Sequence, residues 1–281
     1  RGTDDRKIRL FRVDRNAARL TASCTRLCIP APDESLVIDS IKQLVMLDQG
    51  WAPSRRGEAL YVRPVLIATE PHLAVRPASR YRLLIFTSPV CEYFAQVKSP
   101  LYLKAEERYT RAPHGGTGYA KTASNYSVTL RPMNDSVEDG FDQILWLDGQ
   151  EHKYVEEAGQ MNIFFRLGDS VVTPDLSGTI LPGVTRESVL TLLDDMGVTA
   201  TERRLSMDEL FLAQANGELY EAFGAGTASV VVPIGRIRYH DSDLRFPDEQ
   251  QGNLCPELYN KILGIQHGEL EDRHYWMMPL E

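Results

Sequence analysis

The residues best suited to covalent chemistry form a glycine-rich segment around one lysine. Positions 115–122 are Gly-Gly-Thr-Gly-Tyr-Ala-Lys-Thr, and only seven of the 31 basic residues in the chain are lysines. Three glycines within four positions supply unusual backbone dihedrals or let the backbone approach another group closely. A lysine among small residues can act as a Schiff-base amine, because desolvation favours the neutral amine that attacks carbonyl carbons.

Two other interpretations of this segment start from the same residues. The segment nearly matches a phosphate-binding P-loop, which requires glycine directly before the lysine, but Ala120 occupies that position. Residues 107–111 are also not the apolar strand that a P-loop follows, so a nucleotide site is disfavoured. On composition alone, a flexible turn beside a solvated Lys121 is the commoner structure.

Two further segments are suited to binding an anion. Leu181-Pro182-Gly183 opens a predicted helix, and the backbone N–H groups of Val184 and Thr185 at such a helix start can bind phosphate. Residues 224–228, Gly-Ala-Gly-Thr-Ala, offer backbone amides and a hydroxyl. Taken alone, the first segment is more often a turn with a helix cap, and the second a hairpin or a bulge.

Two adjacent acidic residues are the last candidates for a functional site. Glu156 and Glu157 precede a predicted buried strand, so one of them can point inward, where a carboxylate needs a cationic partner; the alternative is a solvated loop acid. A phosphate, an aldehyde for Lys121 and a ring nitrogen for a carboxylate together describe pyridoxal 5′-phosphate.

The elements that position these groups follow from the spacing of apolar residues. Helices are predicted near residues 14–28, 34–47, 185–197, 206–217 and 258–266, and the helix at Ser206 begins with a capping box that includes Glu209. Strands are predicted near 9–12, 60–68, 81–90, 143–147, 161–165, 171–172, 199–204 and 229–234. Helices and strands do not alternate regularly, so the sequence predicts a mixed α/β fold rather than a simple doubly wound sheet.

The length of 281 residues predicts about two domains. We expect a small N-terminal domain over residues 1–95, an interdomain linker over 96–106 and a large cofactor-binding domain over 107–281.

Charge and cysteine content narrow the class of protein. The net charge of −8 disfavours nucleic-acid and membrane-surface partners, because the field of the chain repels phosphate. Cys24 and Cys28 are predicted to be buried core residues rather than metal ligands, since no histidine lies within twenty residues of them. We expect no metal site and a cytoplasmic location. The chain begins without Met, so an upstream targeting segment stays an open alternative.

An ordered set of motifs resembles one enzyme family along essentially the whole chain. The matching segments are 9–12, 19–20, 60–64, 115–126, 143–148, 156–164, 176–186, 221–228 and 258–266. The chain resembles the branched-chain amino-acid aminotransferases, of the fold-type IV class of pyridoxal-phosphate enzymes. The resemblance implies a two-domain fold, with a small α/β domain and a larger strand-rich pseudo-barrel domain, and a homodimer. It also implies a further N-terminal segment ahead of Arg1.

Position by position, the resemblance implies roles in holding the cofactor. Lys121 would be the catalytic Schiff-base lysine, Tyr126 would hydrogen-bond the phenolic oxygen, and Glu157 would keep the pyridine nitrogen protonated. The cofactor phosphate would be bound by residues of three segments: Arg19, Val184, Thr185 and Thr227.

The same comparison implies where the substrate binds. Tyr61 and Arg63 lie two apart on one predicted strand and therefore on one face, where they would help to bind the substrate. The backbone of Thr227 and Ala228 would hold the α-carboxylate. The side-chain pocket would be lined by Tyr93 and Gln160, and by Leu73 and Val75 of the partner subunit.

Three departures from the family pattern bear on these roles. Gln160 replaces a Thr or Gly that is usual in the substrate pocket, and its amide could shrink that pocket or favour a polar substrate. Residues 122–124, Thr-Ala-Ser, replace a small residue followed by two glycines. Arg131 and Pro132 interrupt a stretch that is normally helical.

The resemblance implies transamination of leucine, isoleucine and valine with 2-oxoglutarate, which gives branched 2-oxo acids and glutamate. One alternative is a fold-type IV transaminase with a more polar substrate in a specialised biosynthetic pathway. An alternative of another class is a catalytically inactive homologue that binds or regulates.

Overall fold

The computed structural model describes residues 1–90, 100–246 and 253–280. The helices are α1 Val13–Arg26, α2 Glu34–Leu47, α3 Ser124–Ser127, α4 Leu130–Glu138, α5 Val184–Asp195, α6 Met207–Ala215 and α7 Leu254–His267. The first six strands are β1 Ile8–Phe11, β2 Ala59–Ala68, β3 Tyr81–Val90, β4 Leu101–Ala105, β5 Gln143–Leu147 and β6 Val155–Ala158. The others are β7 Met161–Leu167, β8 Ser170–Thr173, β9 Ala200–Glu202, β10 Leu219–Gly226, β11 Val230–Tyr239, β12 Ser242–Arg245 and β13 Met277–Leu280.

The chain forms two compact units, Arg1–Glu92 with Lys261–Glu281, and Tyr93–Asn260. The first unit contains α1 and α2, the antiparallel hairpin of β2 and β3, and the antiparallel pair of β1 and β13. Its core forms because α2 carries Val37, Ile41 and Val45 at four-residue spacing, so that their side chains share one buried face.

The second unit is built on a nine-stranded sheet that closes into a barrel. The strand order is β10-β11-β4-β5-β6-β7, and β7 also pairs with β10, so these strands form a ring. Phe164 on β7 and Phe223 on β10 are register partners whose rings stack with centroids 5.1 Å apart across this closure. The strands β8 and β9 extend the sheet beyond β7, and β12 pairs with β11. The predicted mixed α/β fold with a strand-rich pseudo-barrel is confirmed.

The boundaries predicted for the large domain, residues 107 and 281, differ from those of the second unit at both ends. The strand β4 lies inside the interval 96–106 that we assigned to a linker; Leu101, Leu103 and Ala105 alternate into the core, as expected of a sheet strand. Residues 96–99 of that interval lie outside the described residues. The C-terminal segment 261–281, assigned to the large domain, lies with the first unit, where β13 pairs with β1.

Two local predictions were wrong. Cys28 is exposed, whereas Cys24 is buried as predicted. The helix α1 ends at Arg26 and Cys28 has a φ of 54°, so the helical spacing that we extended to Cys28 does not apply there. Pro132 does not interrupt a helix, because it is the third residue of α4, where a missing N–H leaves no helical hydrogen bond unmade.

Among the described residues, no helix is both long enough and apolar enough to span a bilayer.

Candidate active site

The glycines before Lys121 allow the loop to pack against a second segment of the barrel unit. A Cβ on Gly118 would overlap the backbone carbonyl of Thr179, and a Cβ on Gly116 would lie 2.8 Å from the carbonyl oxygen of Pro113. Gly115 has a φ of +74°, which L-residues rarely adopt. The glycines therefore serve close backbone approach and an unusual dihedral, as the sequence predicted.

Asn125 fixes the shape of the lysine loop. Its Nδ2 donates to the carbonyls of Thr117 and Ala120, at 2.9 and 2.8 Å, and its Oδ1 accepts from the Thr117 hydroxyl at 2.8 Å. The Asn125 side chain is buried and is thus satisfied at both ends. These hydrogen bonds hold the backbone immediately before Lys121.

The lysine and the predicted tyrosine are in contact. Lys121 Nζ donates to the Tyr126 hydroxyl at 2.9 Å and lies 5.7 Å from the centroid of its ring. The short helix α3 turns the chain back so that Tyr126 faces the lysine five residues before it. Lys121 itself is exposed in this chain, so the prediction that its side chain is desolvated was wrong. The small side chains around it cover little of the long lysine side chain.

Both adjacent acids are buried, and one of them forms an ion pair. Glu157 Oε2 lies 3.0 Å from Arg111 Nε, with both side chains about nineteen-twentieths buried, and Glu157 Oε1 accepts from the Leu181 N–H at 2.8 Å. Burial raises the pKa of Glu157, and the Arg111 guanidinium and the Leu181 N–H oppose that shift by favouring the charged form. Arg111 is thus the cationic partner that the sequence required without identifying.

The second acid has a different partner. Glu156 Oε1 accepts from the Thr179 hydroxyl at 2.5 Å, and that hydroxyl also lies 3.0 Å from the Ser177 hydroxyl. Burial raises the pKa of Glu156 to about 7, although the Thr179 hydrogen bond and Arg111 act against the shift. Since Arg111 also donates to the Thr179 carbonyl, both acids are joined to the same short segment, 179–181.

This segment leads into the predicted anion site. The helix α5 begins at Val184, directly after Gly183, which has no side chain with which to cap the first turn. The first N–H groups of a helix lack intrahelical acceptors and carry its positive dipole end. The turn between β10 and β11 contains Thr227 and Ala228, so residues 224–228 lie at a hairpin, one of the structures expected for them.

Four of the predicted site residues line one pocket of the barrel unit. The pocket is lined by Arg111, Gly118, Ala120, Lys121, Asn125, Tyr126, Thr129, Glu157, Gly159, Gln160 and Leu181. The structure therefore brings the amine of Lys121, the hydroxyl of Tyr126, the carboxylate of Glu157 and the amide of Gln160 around one space.

The predicted residues Val184, Thr185, Thr227 and Ala228 lie in the second unit outside this pocket lining, and Tyr93 is outside the described residues. The others lie in the first unit. Arg19 lies on α1 and donates to Asn16 Oδ1 at 2.9 Å. Arg63 donates to the Tyr61 hydroxyl at 3.2 Å and lies over its ring, so these residues share one face of β2 as predicted. Leu73 and Val75 are fully exposed between β2 and β3.

Sequence reasoning missed Arg111, Asn125 and Thr179. Arg111 lies in the polar segment 107–111 that we used only to reject a P-loop. Buried acids at 156–157 were themselves a signal that some arginine must come near them. The sequence around Arg111 does not distinguish it from the other arginines, however, because only the folding of the barrel brings it next to Glu157.

Comparison with known sequences places the chain in a family. The model of the family "Amino-transferase class IV" matches residues 3–237. "Branched-chain-amino-acid aminotransferase 2" of Bacillus subtilis is 44% identical over 274 residues, which cover 98% of this chain and 76% of the relative. "Branched-chain-amino-acid aminotransferase" of Mycobacterium tuberculosis is 44% identical over 281 residues, with coverages of 98% and 76%.

Solved structures share the fold. The branched-chain amino acid aminotransferase of Escherichia coli superposes with a TM-score of 0.83 at 19% identity, covering 100% of this chain and 88% of that one. The branched-chain amino acid aminotransferase of Thermobaculum terrenum, in its PLP form, gives a TM-score of 0.80 at 20% identity, with coverages of 100% and 86%. On the family match and the identity to its relatives, this chain belongs to the class IV aminotransferases.

Proposed function

We propose that the chain is a pyridoxal-phosphate-dependent aminotransferase that acts on leucine, isoleucine and valine, with 2-oxoglutarate as the amino-group acceptor. The observation that carries this proposal is the meeting of Lys121, Tyr126 and Glu157 at one pocket, in a chain 44% identical to branched-chain aminotransferases. The Lys121 amine is exposed, the Tyr126 hydroxyl lies 2.9 Å from it, and the Glu157 carboxylate is buried beside Arg111.

The residues of the pocket fit pyridoxal 5′-phosphate. The Lys121 amine suits the aldehyde carbon, the Tyr126 hydroxyl suits the phenolic oxygen, and the Glu157 carboxylate suits a protonated ring nitrogen. The Arg111 guanidinium at 3.0 Å favours the charged form of Glu157 despite its burial. The N-terminus of α5 is suited to a phosphate, which we assign to the N–H groups of Val184 and Thr185 and to Thr227. Arg19 is proposed for the same phosphate on its resemblance to the family position alone.

When bound, the cofactor supplies an aldehyde that joins the amino group of the substrate and a ring that accepts electrons from the substrate Cα. Lys121 would hold the cofactor through its amine in the absence of substrate. With the substrate bound, the same amine would take the proton from the substrate Cα as a general base and then deliver it as a general acid. Tyr126, at 2.9 Å, orients the amine for this transfer. Glu157 would keep the ring nitrogen protonated, so that the ring remains an electron acceptor.

Substrate recognition is proposed on the positions that resemble those of the family. Tyr61 and Arg63 form a contacting pair on one face of β2, and the backbone at Thr227 and Ala228 would hold the α-carboxylate. Tyr93 and Gln160 would line the side-chain pocket, and Leu73 and Val75, exposed in this chain, would line it from the partner subunit of a homodimer. A particle of about twice the chain mass of 31.7 kDa in sedimentation supports the homodimer, whereas an active particle of one chain mass excludes it.

One observation favours a second candidate, a transaminase with a more polar substrate. Gln160 lines the pocket beside Lys121 and Glu157. An apolar substrate side chain packed against the Gln160 amide would leave that amide without a hydrogen-bonding partner, which disfavours an apolar substrate.

Initial rates with leucine, isoleucine, valine, glutamine and methionine, each with 2-oxoglutarate, separate the candidates. We expect kcat/KM to be highest for a branched-chain substrate and to vanish in Lys121→Ala. The control Lys153→Ala, which removes a surface lysine paired with Asp208, should retain full activity. A preference for glutamine supports the second candidate. Cofactor binding without any amino transfer supports the inactive homologue.

A further inference from the structure

We propose that Asn162 is a positioning residue that fixes the phosphate-binding turn of α5 relative to the Glu157 carboxylate. The inference rests on the proposed function, because it concerns how the two ends of the cofactor site are held together. Asn162 is not itself among the residues that line the pocket, and its effect passes through the segment 181–183, whose first residue, Leu181, does line it.

Asn162 and Glu157 are direct partners in the sheet. They face each other across the antiparallel pair of β6 and β7, and directly opposed residues project to the same side of a sheet. Met161 and Ile163, on either side of Asn162, belong to the core cluster on the other side. Both polar side chains are buried, so each needs a hydrogen-bonding partner on the face that it occupies.

The partner is the same residue in both cases. The Leu181 N–H donates to Glu157 Oε1 at 2.8 Å, and the Leu181 carbonyl accepts from Asn162 Nδ2 at 3.0 Å. The two polar groups of one backbone residue are thus held by one cross-strand pair. Gly183 lies so close to this pair that a Cβ on it would overlap Asn162 Oδ1.

This contact determines where α5 begins. Only Pro182 and Gly183 separate Leu181 from Val184, the first residue of the helix, and proline restricts the backbone between them. Glu157 is assigned to the ring nitrogen and the N–H groups of Val184 and Thr185 to the phosphate. A cofactor that binds both groups through one rigid ring would require them at a fixed separation, so a displacement of one group would weaken binding at the other.

A second anchor holds the body of α5 independently. Arg186 donates to the Pro174 carbonyl at 2.9 Å and to Glu202 Oε2 at 2.6 Å. Loss of the Asn162 hydrogen bond should therefore shift the turn at 181–183 without detaching the helix. The consequence is a specific loss of phosphate binding rather than a general loss of the fold.

The test compares two ligands that differ only in the phosphate. Apoprotein of wild type, Asn162→Ala and Asn162→Ser is titrated with pyridoxal 5′-phosphate and with pyridoxal, and the absorbance change gives each Kd. Thr173→Val is the matched control, because it removes another buried side-chain hydrogen bond to a strand carbonyl, Thr173 Oγ1 to Ile163 O at 2.7 Å. Thermal unfolding of each apoprotein reports the general cost to the fold.

For both Asn162 variants we expect the Kd for pyridoxal 5′-phosphate to rise roughly tenfold, the loss expected for one buried hydrogen bond. The Kd for pyridoxal should change less than twofold, and Thr173→Val should change neither Kd. An equal loss for both ligands assigns Asn162 a general structural role and overturns the proposal, as does wild-type affinity for the phosphate ester. A wild-type protein that binds neither ligand overturns the proposed function itself, and the inference with it.

Discussion

The charge of the Glu157 carboxylate depends on one buried ion pair. Arg111 lies 3.0 Å from it, and both side chains are buried. Burial alone favours the neutral acid, and a guanidinium at this distance favours the carboxylate. Removing either partner leaves the other buried and uncompensated, which typically costs about 3–5 kcal/mol.

Replacement of Arg111 should therefore change the pH dependence of the reaction. In Arg111→Gln the pKa of Glu157 rises further, since the opposing cation is gone. We expect the acidic limb of the kcat/KM profile to move to higher pH, and kcat at neutral pH to fall by roughly a hundredfold. Arg131→Gln, which removes an exposed arginine paired with Asp135, serves as the control. An unshifted acidic limb in Arg111→Gln would show that Arg111 does not set the charge of Glu157.

Glu156 makes a different prediction, about stability. Burial raises its pKa to about 7 from an ordinary value of 4.5. The folded state therefore binds more protons than the unfolded state between these values, and this contribution to stability is lost as pH rises through them. Glu156→Gln has no ionisable group at this position, so this loss of stability does not occur in the variant. We expect the free energy of unfolding of the variant to rise relative to that of wild type by up to about 3 kcal/mol between pH 4.5 and 8.

Urea unfolding of the apoproteins across this pH range measures that difference. Glu218→Gln, at an exposed acid, should follow wild type throughout. Parallel pH curves for Glu156→Gln and wild type would mean that Glu156 titrates normally in the fold.

At the scale of elements, the lysine loop and the segment 179–181 are packed backbone against backbone. The contact exists because Gly118 has no side chain where it meets Thr179. The same segment carries the partners of Glu156, Glu157 and Arg111. A change at this contact is therefore transmitted to both carboxylates and to the lysine loop.

Gly118→Ala tests this arrangement. The added methyl group would overlap the Thr179 carbonyl, so the two segments must separate; we expect kcat to fall at least tenfold and the apoprotein to lose about 1–3 kcal/mol of stability. Gly50→Ala is the control, since a Cβ there meets nothing within 4 Å. Equal behaviour of the two variants in activity assays and urea unfolding would contradict the close packing of the loop.

The elements were predicted from the sequence more accurately than their partners. The apolar stripe of α2 predicted its bounds, Glu34–Leu47, and the capping box at Ser206 predicted the start of α6, where the Ser206 hydroxyl accepts from the Glu209 N–H at 3.1 Å. Local spacing and capping carry that information. The spacing of apolar residues does not determine the register between strands. The pairing of Glu157 with Asn162 and their two hydrogen bonds to Leu181 could therefore be seen only in the folded structure.

At the scale of the whole molecule, the barrel closure could not be derived from periodicity. The pairing of β7 with β10 joins strands more than fifty residues apart in the sequence, and nothing local encodes it. The resemblance to the family supplied the two-domain pseudo-barrel and Tyr126, and it selected Glu157 over Glu156. Lys121 was already a candidate because of the glycines around it. Arg111 was missed because an ion pair between distant segments has no signature in either segment.

The buried and paired carboxylates together predict the pH of greatest stability. Asp243 accepts hydrogen bonds from Arg238 and is paired with Arg236, which lowers its pKa to about 2. Its contribution to stability is present above its unfolded pKa of 3.8 and is lost as pH falls towards 2. Glu156 loses its contribution above about 4.5. On these two groups the unfolding free energy of the apoprotein should peak at about pH 4, between their two unfolded pKa values, and a maximum above pH 7 in urea unfolding would refute this balance.

The covalent bond between Lys121 and the cofactor can be trapped and located in the chain. The purified protein is saturated with pyridoxal 5′-phosphate, reduced with borohydride to make the bond to the amine permanent, digested, and mapped by mass spectrometry. We expect a visible absorption band before reduction and a pyridoxyl adduct on Lys121 afterwards. A colourless protein, or an adduct on any other lysine, contradicts this expectation.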